Sequence, residues 1–598
     1  MPTLTRWLLV AGFCLLIFGG KLWLVSAAGS DLPTWDQWDA EGEVVLRPWL
    51  EGWMGLKEIV HPHNEHRVIV TKLFALGLFT LNGQWDGFVE TVAAAAVHTL
   101  AALLLVLLGR RWLHGAGLAL YAALLVLLFT LPFSWENSIF GFQSTFYFLL
   151  LFSLGHIWLS LERDRFGVRW ILGQVSGVLA VLSMASGFFS SLAILAVLGH
   201  RYARERRWSV QQLTTAGLAV GFSVAGWLMK NEVPGHAPLH AQGLGQFTRA
   251  LLELLAWPGS DLFPWALVLF TPALWFIIRR TRSRTTSPDD AVLLGLLAWL
   301  LLQCLATAYA RGGSGAVLSP RYLDLLAVNV ALGLLFLLRE FSGRLRLWLA
   351  ALWLAAVVAG LAQQSRAMWH DFVAPNIPRQ QRQEANVRAY LRTGDSAHLL
   401  NQPWGEVPYP VGEVLVQRLS YPVIQAIMPP SVRRSVPVAN GAPDRIPAGM
   451  PAAQRPVALS TWSGTPATPP VPWRSATQSA GALPVLRFWI AGDLDPSGRA
   501  GRLVVKSAAG EVPVVPESAS GTRWKSVNVF RPAGEWWLEA EGTANGAWFA
   551  FTEPVEVGRW TWAAEKLLKL HFTVMLVGAG MLAAGGWLAR RRADERVA

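Results

Sequence analysis

The most polar stretch of the chain follows its first apolar segment and begins with three carboxylates. Asp36, Asp39 and Glu41 lie in the short motif Asp-Gln-Trp-Asp-Ala-Glu. Asp36 and Asp39 are three residues apart, so both carboxylates would share one face of a helical turn. A partly desolvated carboxylate is suited to act as a general base toward a hydroxyl group, or to bind a divalent cation (Mg²⁺ or Mn²⁺) that steadies a phosphate. The alternative, that Asp36 or Asp39 only caps the next helix, stays open.

A group of histidines later in the same stretch has the residue types of a metal site but not the spacing. The helical zinc motif places two histidines four residues apart, and no pair in this group is separated in that way. Pro62 favours an extended backbone at the start of the group. We therefore predict no metal site, and either substrate contacts or a structural role, for His61, His63, Asn64, Glu65 and His66.

Three arginines are candidate contacts for a phosphate. Arg67 could bind a phosphate or one of the acids, although an arginine at a membrane surface also reaches lipid headgroups. Arg311 and Arg321 flank a glycine-rich loop, where backbone N–H groups can approach an anion and a guanidinium can bind it through two hydrogen bonds. The alternative for Arg321 is an ion pair with Asp324. We favour substrate phosphate as the partner of Arg311, Arg321 and the adjacent Tyr322.

The composition indicates which elements must position these residues. The chain is 53% hydrophobic and 15% charged, whereas soluble domains carry about a quarter charged residues. Apolar runs of the length of a membrane-spanning helix account for the difference. The net charge of +12 comes from short Lys and Arg clusters between these runs, so it reflects membrane topology and does not indicate nucleic-acid binding. Cys14 and Cys304 lie within apolar runs, which excludes a disulfide framework and a cysteine metal site.

The sequence predicts about twelve membrane-spanning helices. The run 170–199 is too long for one helix and is interrupted at 183–187 by Ser-Met-Ala-Ser-Gly, so we predict two short helices joined by a tight turn. Arg-rich connections alternate with connections poor in Lys and Arg, which predicts that both termini are cytoplasmic. Residues 1–27 also have features of a secretory signal, but an uncleaved first helix is favoured by its long apolar core. The other predicted spans are 5–27, 87–109, 115–133, 143–161, 209–229, 262–278, 291–310, 322–338, 346–363 and 567–589.

Two large regions are predicted on the periplasmic side of the bundle. The bundle itself covers 1–363 and includes a first periplasmic loop, 28–86, whose second half has the pattern of a helix lying on the membrane surface. A helical and Pro-rich linker region, 364–475, precedes a β-sandwich at 476–565, which is indicated by short alternating strands separated by turns. The final span and a cytoplasmic tail make up 566–598.

This arrangement resembles the GT-C superfamily of integral-membrane glycosyltransferases, such as protein O-mannosyltransferases and the aminoarabinose transferase of lipid A. The resemblance rests on the topology of 1–363: a first span, a long acidic outer loop with amphipathic helices, and a basic loop late in the bundle. It implies a polyprenyl-phosphate-linked sugar donor, transfer with inversion, and a catalytic carboxylate in the first loop. By position, Asp36 or Asp39 would be the base, and Arg311 and Arg321 would contact the phosphate.

The expected function is transfer of a sugar to a glycan, lipid or protein at the periplasmic face of a bacterial inner membrane. The expected partners are the polyprenyl-phosphate-linked sugar and membrane lipid, with no nucleic acid. One alternative is a transporter or flippase of lipid-linked glycans, which is disfavoured because the spans are nearly free of charge. A non-catalytic assembly factor for lipid-linked surface polysaccharide is the other alternative.

Overall fold

The computed structural model consists of helices up to residue 427, then a domain of nine strands, and then two further helices. This order confirms a helical bundle combined with a β-rich domain near the C-terminus. The structure describes residues 3–259, 263–283, 285–315, 317–438, 446–447, 449–462, 472–543 and 547–594. The Pro-rich part of the predicted linker, the first residue of the predicted span 262–278 and the end of the predicted tail fall partly or wholly outside these residues.

The helices differ widely in length, from single turns to membrane-spanning rods. Two π-helical segments, Trp38–Leu46 and Trp369–Val373, lie between or within them. The α-helices are α1 (Thr3–Ala28), α2 (Arg47–Glu51), α3 (Leu56–Val60), α4 (Ile69–Asn82), α5 (Gly87–Gly109), α6 (Gly115–Thr130), α7 (Trp135–Ile139), α8 (Ser144–Leu161), α9 (Val168–Ser183), α10 (Phe189–Glu205), α11 (Val210–Met229), α12 (Leu244–Ala256), α13 (Phe263–Thr281), α14 (Pro288–Arg311), α15 (Leu323–Glu340), α16 (Gly343–Met368), α17 (Ala374–Thr393), α18 (Gly412–Ser420), α19 (Pro422–Ile427), α20 (Arg559–Lys569) and α21 (His571–Asp594).

Nine helices in the described part of the chain are long and apolar enough to cross a membrane, judged by length and composition. The prediction of about twelve spans therefore stays a prediction for the remaining three, α9, α10 and α13. The predicted break in 170–199 is confirmed. The chain leaves α9 at Met184 with an extended backbone and makes a 3₁₀ turn at Ala185–Phe188 before α10 begins. Gly187 allows this turn, because a Cβ there would collide with the carbonyl group of Ala180.

Two features hold the bundle together. In α15, every residue from Leu323 to Leu338 is buried, so this helix lies at the centre of the bundle. α1 packs closely against α21: a Cβ on Gly12 would lie 2.7 Å from the carbonyl oxygen of Gly578. Small residues at such a contact let two helix backbones approach each other, which is a common way of packing helices in membranes.

The β-domain is a sandwich of two antiparallel sheets. Its strands are β1 (Val457–Ser460), β2 (Trp473–Arg474), β3 (Val485–Gly492), β4 (Gly501–Ser507), β5 (Gly510–Pro513), β6 (Gly521–Phe530), β7 (Trp536–Gly542), β8 (Phe549–Thr552) and β9 (Val555–Val557). One sheet has the order β1-β8-β3-β6 with β9 also on β3, and the other has the order β2-β7-β4-β5. Phe488 and Phe551 from the first sheet share a buried core with Leu503 and Leu538 from the second. β1 and β2 lie within the stretch predicted as linker, so the sandwich draws on more of the chain than 476–565.

The first loop, the helices α17 to α19 and the β-domain lie on the same side of the bundle, which is called the β-domain side below. The backbone N–H of Trp85 donates to the carbonyl oxygen of Ile427 at 2.9 Å. Directly after the last strand of the β-domain, the backbone N–H of Gly558 donates to Oε1 of Gln84 at 3.0 Å. The first loop is therefore packed between the bundle and the β-domain, and its side chains meet residues from distant parts of the sequence.

Candidate functional site

Asp36 and Asp39 point to different partners, so the prediction that they share one helical face is wrong. Oδ1 of Asp36 lies 3.5 Å from Nε2 of His63. Oδ2 of Asp39 instead accepts a hydrogen bond from the hydroxyl of Tyr409 at 2.7 Å. The reason is local: Asp36 lies in a turn and Asp39 in the π-helix, so the spacing of an α-helix does not apply. The N-cap of this π-helix is Gln37, and neither aspartate takes that position.

Asp36 has the electrostatic surroundings of an ionised carboxylate. Its side chain is one third exposed. Burial opposes its ionisation, but the hydrogen bond with His63, with a further contribution from the charge of Arg321, lowers the pKa of Asp36 below its ordinary value. A carboxylate that is ionised at neutral pH and still reachable from outside can accept a proton from a hydroxyl group.

Asp39 joins the first loop to α18. In addition to its bond with Tyr409, Asp39 receives a hydrogen bond from Nη2 of Arg418 at 3.3 Å. Nη1 of Arg418 also pairs with Glu43 at 2.8 Å. Both carboxylate oxygens of Asp39 are therefore engaged by residues that follow it by several hundred positions, which gives this aspartate a bracing role.

Glu41 is fully buried beneath the loop. Its Oε2 accepts hydrogen bonds from Nε2 of Gln37 and Nε1 of Trp85, both at 3.2 Å, and Gln37 also donates to Glu90 at 2.7 Å. Burial raises the pKa of Glu41 to about 7, and the bonds from Gln37 and Trp85 only partly oppose this rise. With no exposed surface, Glu41 is placed to hold the loop and not to meet an acceptor.

No metal centre is evident around these acids. Across the ranges that the structure describes, no group of three or more His, Cys, Asp or Glu side chains could hold a metal ion. The two aspartates do not converge on one point, because Asp39 is bound to Tyr409 and Arg418 while Asp36 faces His63. Binding of Mg²⁺ or Mn²⁺ by Asp36 together with a substrate phosphate stays a prediction.

The histidine group forms a tight turn beside Asp36. The backbone groups of His63 and His66 exchange hydrogen bonds of 2.7 and 3.0 Å, and Asn64 takes the left-handed conformation that the turn needs, with φ of 49°. Nδ1 of His66 accepts a hydrogen bond from the backbone N–H of Ala185 at 3.4 Å. Burial lowers the pKa of His66 to about 4, so its ring is neutral and can accept this bond. The turn presents His63 to Asp36 and fixes His66 against the break between α9 and α10.

Glu65 connects the turn to the basic loop that follows α14. Its Oε1 lies 2.5 Å from Nδ1 of His236 and 3.9 Å from Nη2 of Arg311. Arg311 also donates from Nε to the hydroxyl of Tyr322 at 3.3 Å. His236 was not among the predicted site residues. It lies in the connection between α11 and α12. The alternation of Arg-rich and Arg-poor connections places this connection on the same side as the first loop, and only this alternation could have indicated His236 as a neighbour of the site.

Arg321 pairs with Glu136, whereas the sequence alternative was Asp324. Its Nε lies 3.4 Å from Oε2 of Glu136. Asp324 is buried and accepts hydrogen bonds from Ser134 and Asn137, each at 2.9 Å. Arg321 remains 39% exposed. Its charge also contributes to lowering the pKa of Asp36.

Arg67 and His61 serve the local backbone. Arg67 donates to the carbonyl oxygens of Val60 at 2.5 Å and Met229 at 3.1 Å, which ties α3 to the end of α11. The carbonyl oxygen of His61 accepts a hydrogen bond from Nζ of Lys72 at 2.6 Å, while its side chain is exposed. The structure thus brings Asp36, His63, Glu65, His66, Arg311, Arg321 and Tyr322 together, and places Asp39, Glu41 and Arg67 in supporting positions.

A buried polar network lies inside the bundle, and its members were not among the predicted site residues. Nζ of Lys21 in α1 donates to Ser138 at 3.0 Å, and Nε2 of His98 lies 3.6 Å from Asp324. The rings of His98 and Tyr147 stack with centroids 4.0 Å apart. A lysine within an apolar helix was the signal available, since charged groups inside a membrane are costly and usually have a function.

No protein-family model matches this sequence, and a search of curated proteins finds no significant match.

Proposed function

We propose that the chain is a membrane glycosyltransferase of the GT-C type, acting on a polyprenyl-phosphate-linked sugar at the periplasmic face of a bacterial inner membrane. The acceptor is a glycan, a lipid or a protein, and both termini are cytoplasmic. One observation carries the proposal: the partly exposed carboxylate of Asp36 lies 3.5 Å from Nε2 of His63 on the β-domain side of the bundle, and the charge of Arg321 helps to keep its pKa low. Arg311 is close to the histidine turn beside Asp36, because its guanidinium approaches the carboxylate of Glu65 in that turn.

The reaction needs little covalent chemistry from the protein. Asp36 takes the proton of the acceptor hydroxyl while the oxygen of that hydroxyl attacks the anomeric carbon of the donor sugar. The bond between that carbon and the phosphate oxygen breaks, and the phosphate leaves with the electron pair. Arg321 and Arg311 stabilise the negative charge on the leaving phosphate, and the transfer proceeds with inversion.

The test is the replacement Asp36→Asn. The asparagine keeps the shape of the side chain but cannot take the proton, so we expect a loss of transferred sugar of about 100-fold or more. Glycan composition and the abundance of the protein in the membrane are measured together. The matched control is Asp39→Asn in the same loop, where the carboxylate braces Tyr409 and Arg418, and where we expect a smaller loss. Unchanged glycan in Asp36→Asn at normal abundance would contradict the proposal.

A transporter or flippase of lipid-linked glycans is the second candidate, and the buried network around Lys21 is the observation that favours it. Transporters carry such ionisable groups within their spans, whereas spans nearly free of charge, as read from the sequence, disfavoured this class. In that case, Lys21→Met would trap the undecorated lipid-linked precursor on the inner leaflet, whereas a glycosyltransferase with a disrupted site would leave precursor that is accessible from the outer face. A non-catalytic assembly factor would retain its effect in Asp36→Asn.

A further inference from the structure

The connection between α17 and α18 encloses a cavity of about 160 Å³ on the β-domain side. Its lining combines aromatic rings with hydrogen-bonding groups of both kinds. The lining is more polar than that of most small-molecule sites, which favours a ligand that is itself rich in hydrogen-bonding groups. The lining includes Asn401, Gln402, Trp404, Tyr409 and Glu413.

Two exposed tryptophans meet at this cavity. Trp404, in its lining, is 68% exposed, and Trp35, from the first loop, is 40% exposed. Their ring centroids are 6.2 Å apart with the planes nearly perpendicular, at 89°. Arg379 lies over the ring of Trp404 at 5.5 Å and supports it from α17. Two exposed indole rings in contact form a continuous apolar patch, and such a patch beside a cavity offers a surface that a ligand can cover.

The backbone holds Trp35 in place at some cost. Its φ of 55° is in the left-handed region, which is unfavourable for a large side chain. The backbone N–H of Trp35 donates to the carbonyl oxygen of Pro408 at 2.8 Å, and this bond fixes the first loop to the 399–413 connection. Strained conformations of this kind are kept where the surrounding structure enforces them, and they are concentrated at functional sites.

The cavity adjoins the candidate site. Trp35 directly precedes Asp36 in the chain, and Tyr409, in the cavity lining, donates its hydroxyl to Asp39. A ligand held against Trp404 would therefore lie next to the turn that carries the proposed base. Among ligand classes, the lining excludes a lipid tail because it is too polar, and Glu413 disfavours an anion such as phosphate.

We propose that this cavity binds a sugar residue of the acceptor, with Trp404 and Trp35 packing against the apolar face of the ring. A sugar presents C–H groups on its faces and hydroxyl groups around its edge, which match the indole rings and the surrounding Asn401, Gln402 and Glu413. The acceptor is then a saccharide or a glycolipid. Its assignment to the acceptor rests on the proposed function, whereas binding of a sugar is measurable without any transfer.

The test uses the full chain in lipid nanodiscs and a panel of methyl glycosides covering hexoses, N-acetylhexosamines and 6-deoxyhexoses. Saturation-transfer NMR reports which ring protons contact the protein. We expect one class of glycoside to bind, and Trp404→Ala to weaken that binding by about 10-fold, since an aromatic contact of this size is lost. Trp53→Ala removes another exposed tryptophan of the first loop, 51% exposed, and serves as the matched control that leaves binding unchanged.

The outcomes separate this inference from the proposed function. Asp36→Asn should keep glycoside binding while losing transfer. Absence of signal from every glycoside class, or equal signal from Trp404→Ala and the unaltered chain, would overturn the saccharide site without touching the role of Asp36. Normal binding combined with normal transfer in Asp36→Asn would overturn the proposed function and leave the sugar site standing.

Discussion

Asp36 and Glu41 are five positions apart in one loop, and yet their carboxyl groups have opposite surroundings. Asp36 is partly exposed and lies beside His63, and the charge of Arg321 also favours its ionised form. Glu41 is enclosed, and its nearest acidic neighbour, Glu90, shares the amide of Gln37 with it. Neighbouring acids whose pKa values are shifted in opposite directions take different roles. Here Asp36 is available for chemistry, and Glu41 supports the loop that carries Asp36.

The enclosed Glu41 makes the stability of the protein depend on pH. Its pKa rises from 4.5 to about 7 on folding, so the folded state holds a proton between these values that the unfolded state has released. The stabilisation is therefore complete below pH 4.5 and is lost as the pH rises through about 7. Glu41→Gln, which cannot ionise, should raise the free energy of unfolding at pH 8 by about 1–3 kcal/mol and flatten its dependence on pH.

Thermal unfolding in detergent between pH 5 and pH 8 measures this effect, and transfer of sugar should persist in the variant. A Glu41→Gln protein that unfolds with the same pH dependence as the unaltered chain would show that Glu41 is not the group responsible.

At the residue scale, the sequence singled out the stretch that carries the candidate residues but not their partners. Acids and histidines stood out because this loop is the most polar stretch of the chain. Tyr409, Arg418 and His236 could not be paired with them, since each is more than a hundred residues away and local spacing carries no information on such contacts. The divergence of Asp36 from Asp39 depends on a π-helix, and no residue pattern in the sequence indicated one.

Among the elements, the C-terminal end of α4 meets the N-terminal end of α20, and a side chain of α4 caps α20. Oδ1 of Asn82, the last residue of α4, accepts hydrogen bonds from the backbone N–H groups of Trp560 and Thr561, both at 3.1 Å. These N–H groups belong to the first turn of α20 and have no partner within that helix. Asn82 therefore serves as a cap supplied by a distant helix, and it fixes the direction in which the β-domain connects to α21.

Asn82→Ala should weaken this junction. Two N–H groups at the start of α20 lose their acceptor, which we expect to lower the free energy of unfolding by about 1–3 kcal/mol. Thermal unfolding of the purified chain measures the loss. Thr80→Ala, an exposed position on the same helix, is the control and should leave stability unchanged. Equal stability of the two variants would show that water replaces the asparagine without cost.

The approximate positions of the helices could be predicted from the sequence more readily than the residues at which they begin and end. Apolar runs located the spans because burial in lipid requires nearly continuous apolar side chains, and the break before Gly187 was visible as a run of small polar residues. The predicted last span, 567–589, combined the end of α20 with α21. Leu567 and Leu568 continue the apolar run although they belong to the amphipathic helix, so composition alone could not place the boundary.

For the whole molecule, the close contact between α1 and α21 joins helices that are far apart in the chain. Gly12→Val would place a side chain against the backbone of Gly578, and overpacking of this kind costs about 1–3 kcal/mol. Gly580→Val is the matched control, because the position of its Cβ is open. We expect a lower unfolding temperature for Gly12→Val only. Equal temperatures for both variants would show that the two helices can separate without loss.

The same contact has a consequence for biosynthesis. Among the described helices, α1 is synthesised before its neighbour α21, with the rest of the bundle and the β-domain between them. During elongation, the face of α1 that contains Gly12 therefore has no α21 to pack against until the β-domain has been synthesised. A polypeptide interrupted within that domain would insert most of its spans, but its α1 would lack α21 as a packing partner. Membrane proteases could recognise the chain by this exposed helix.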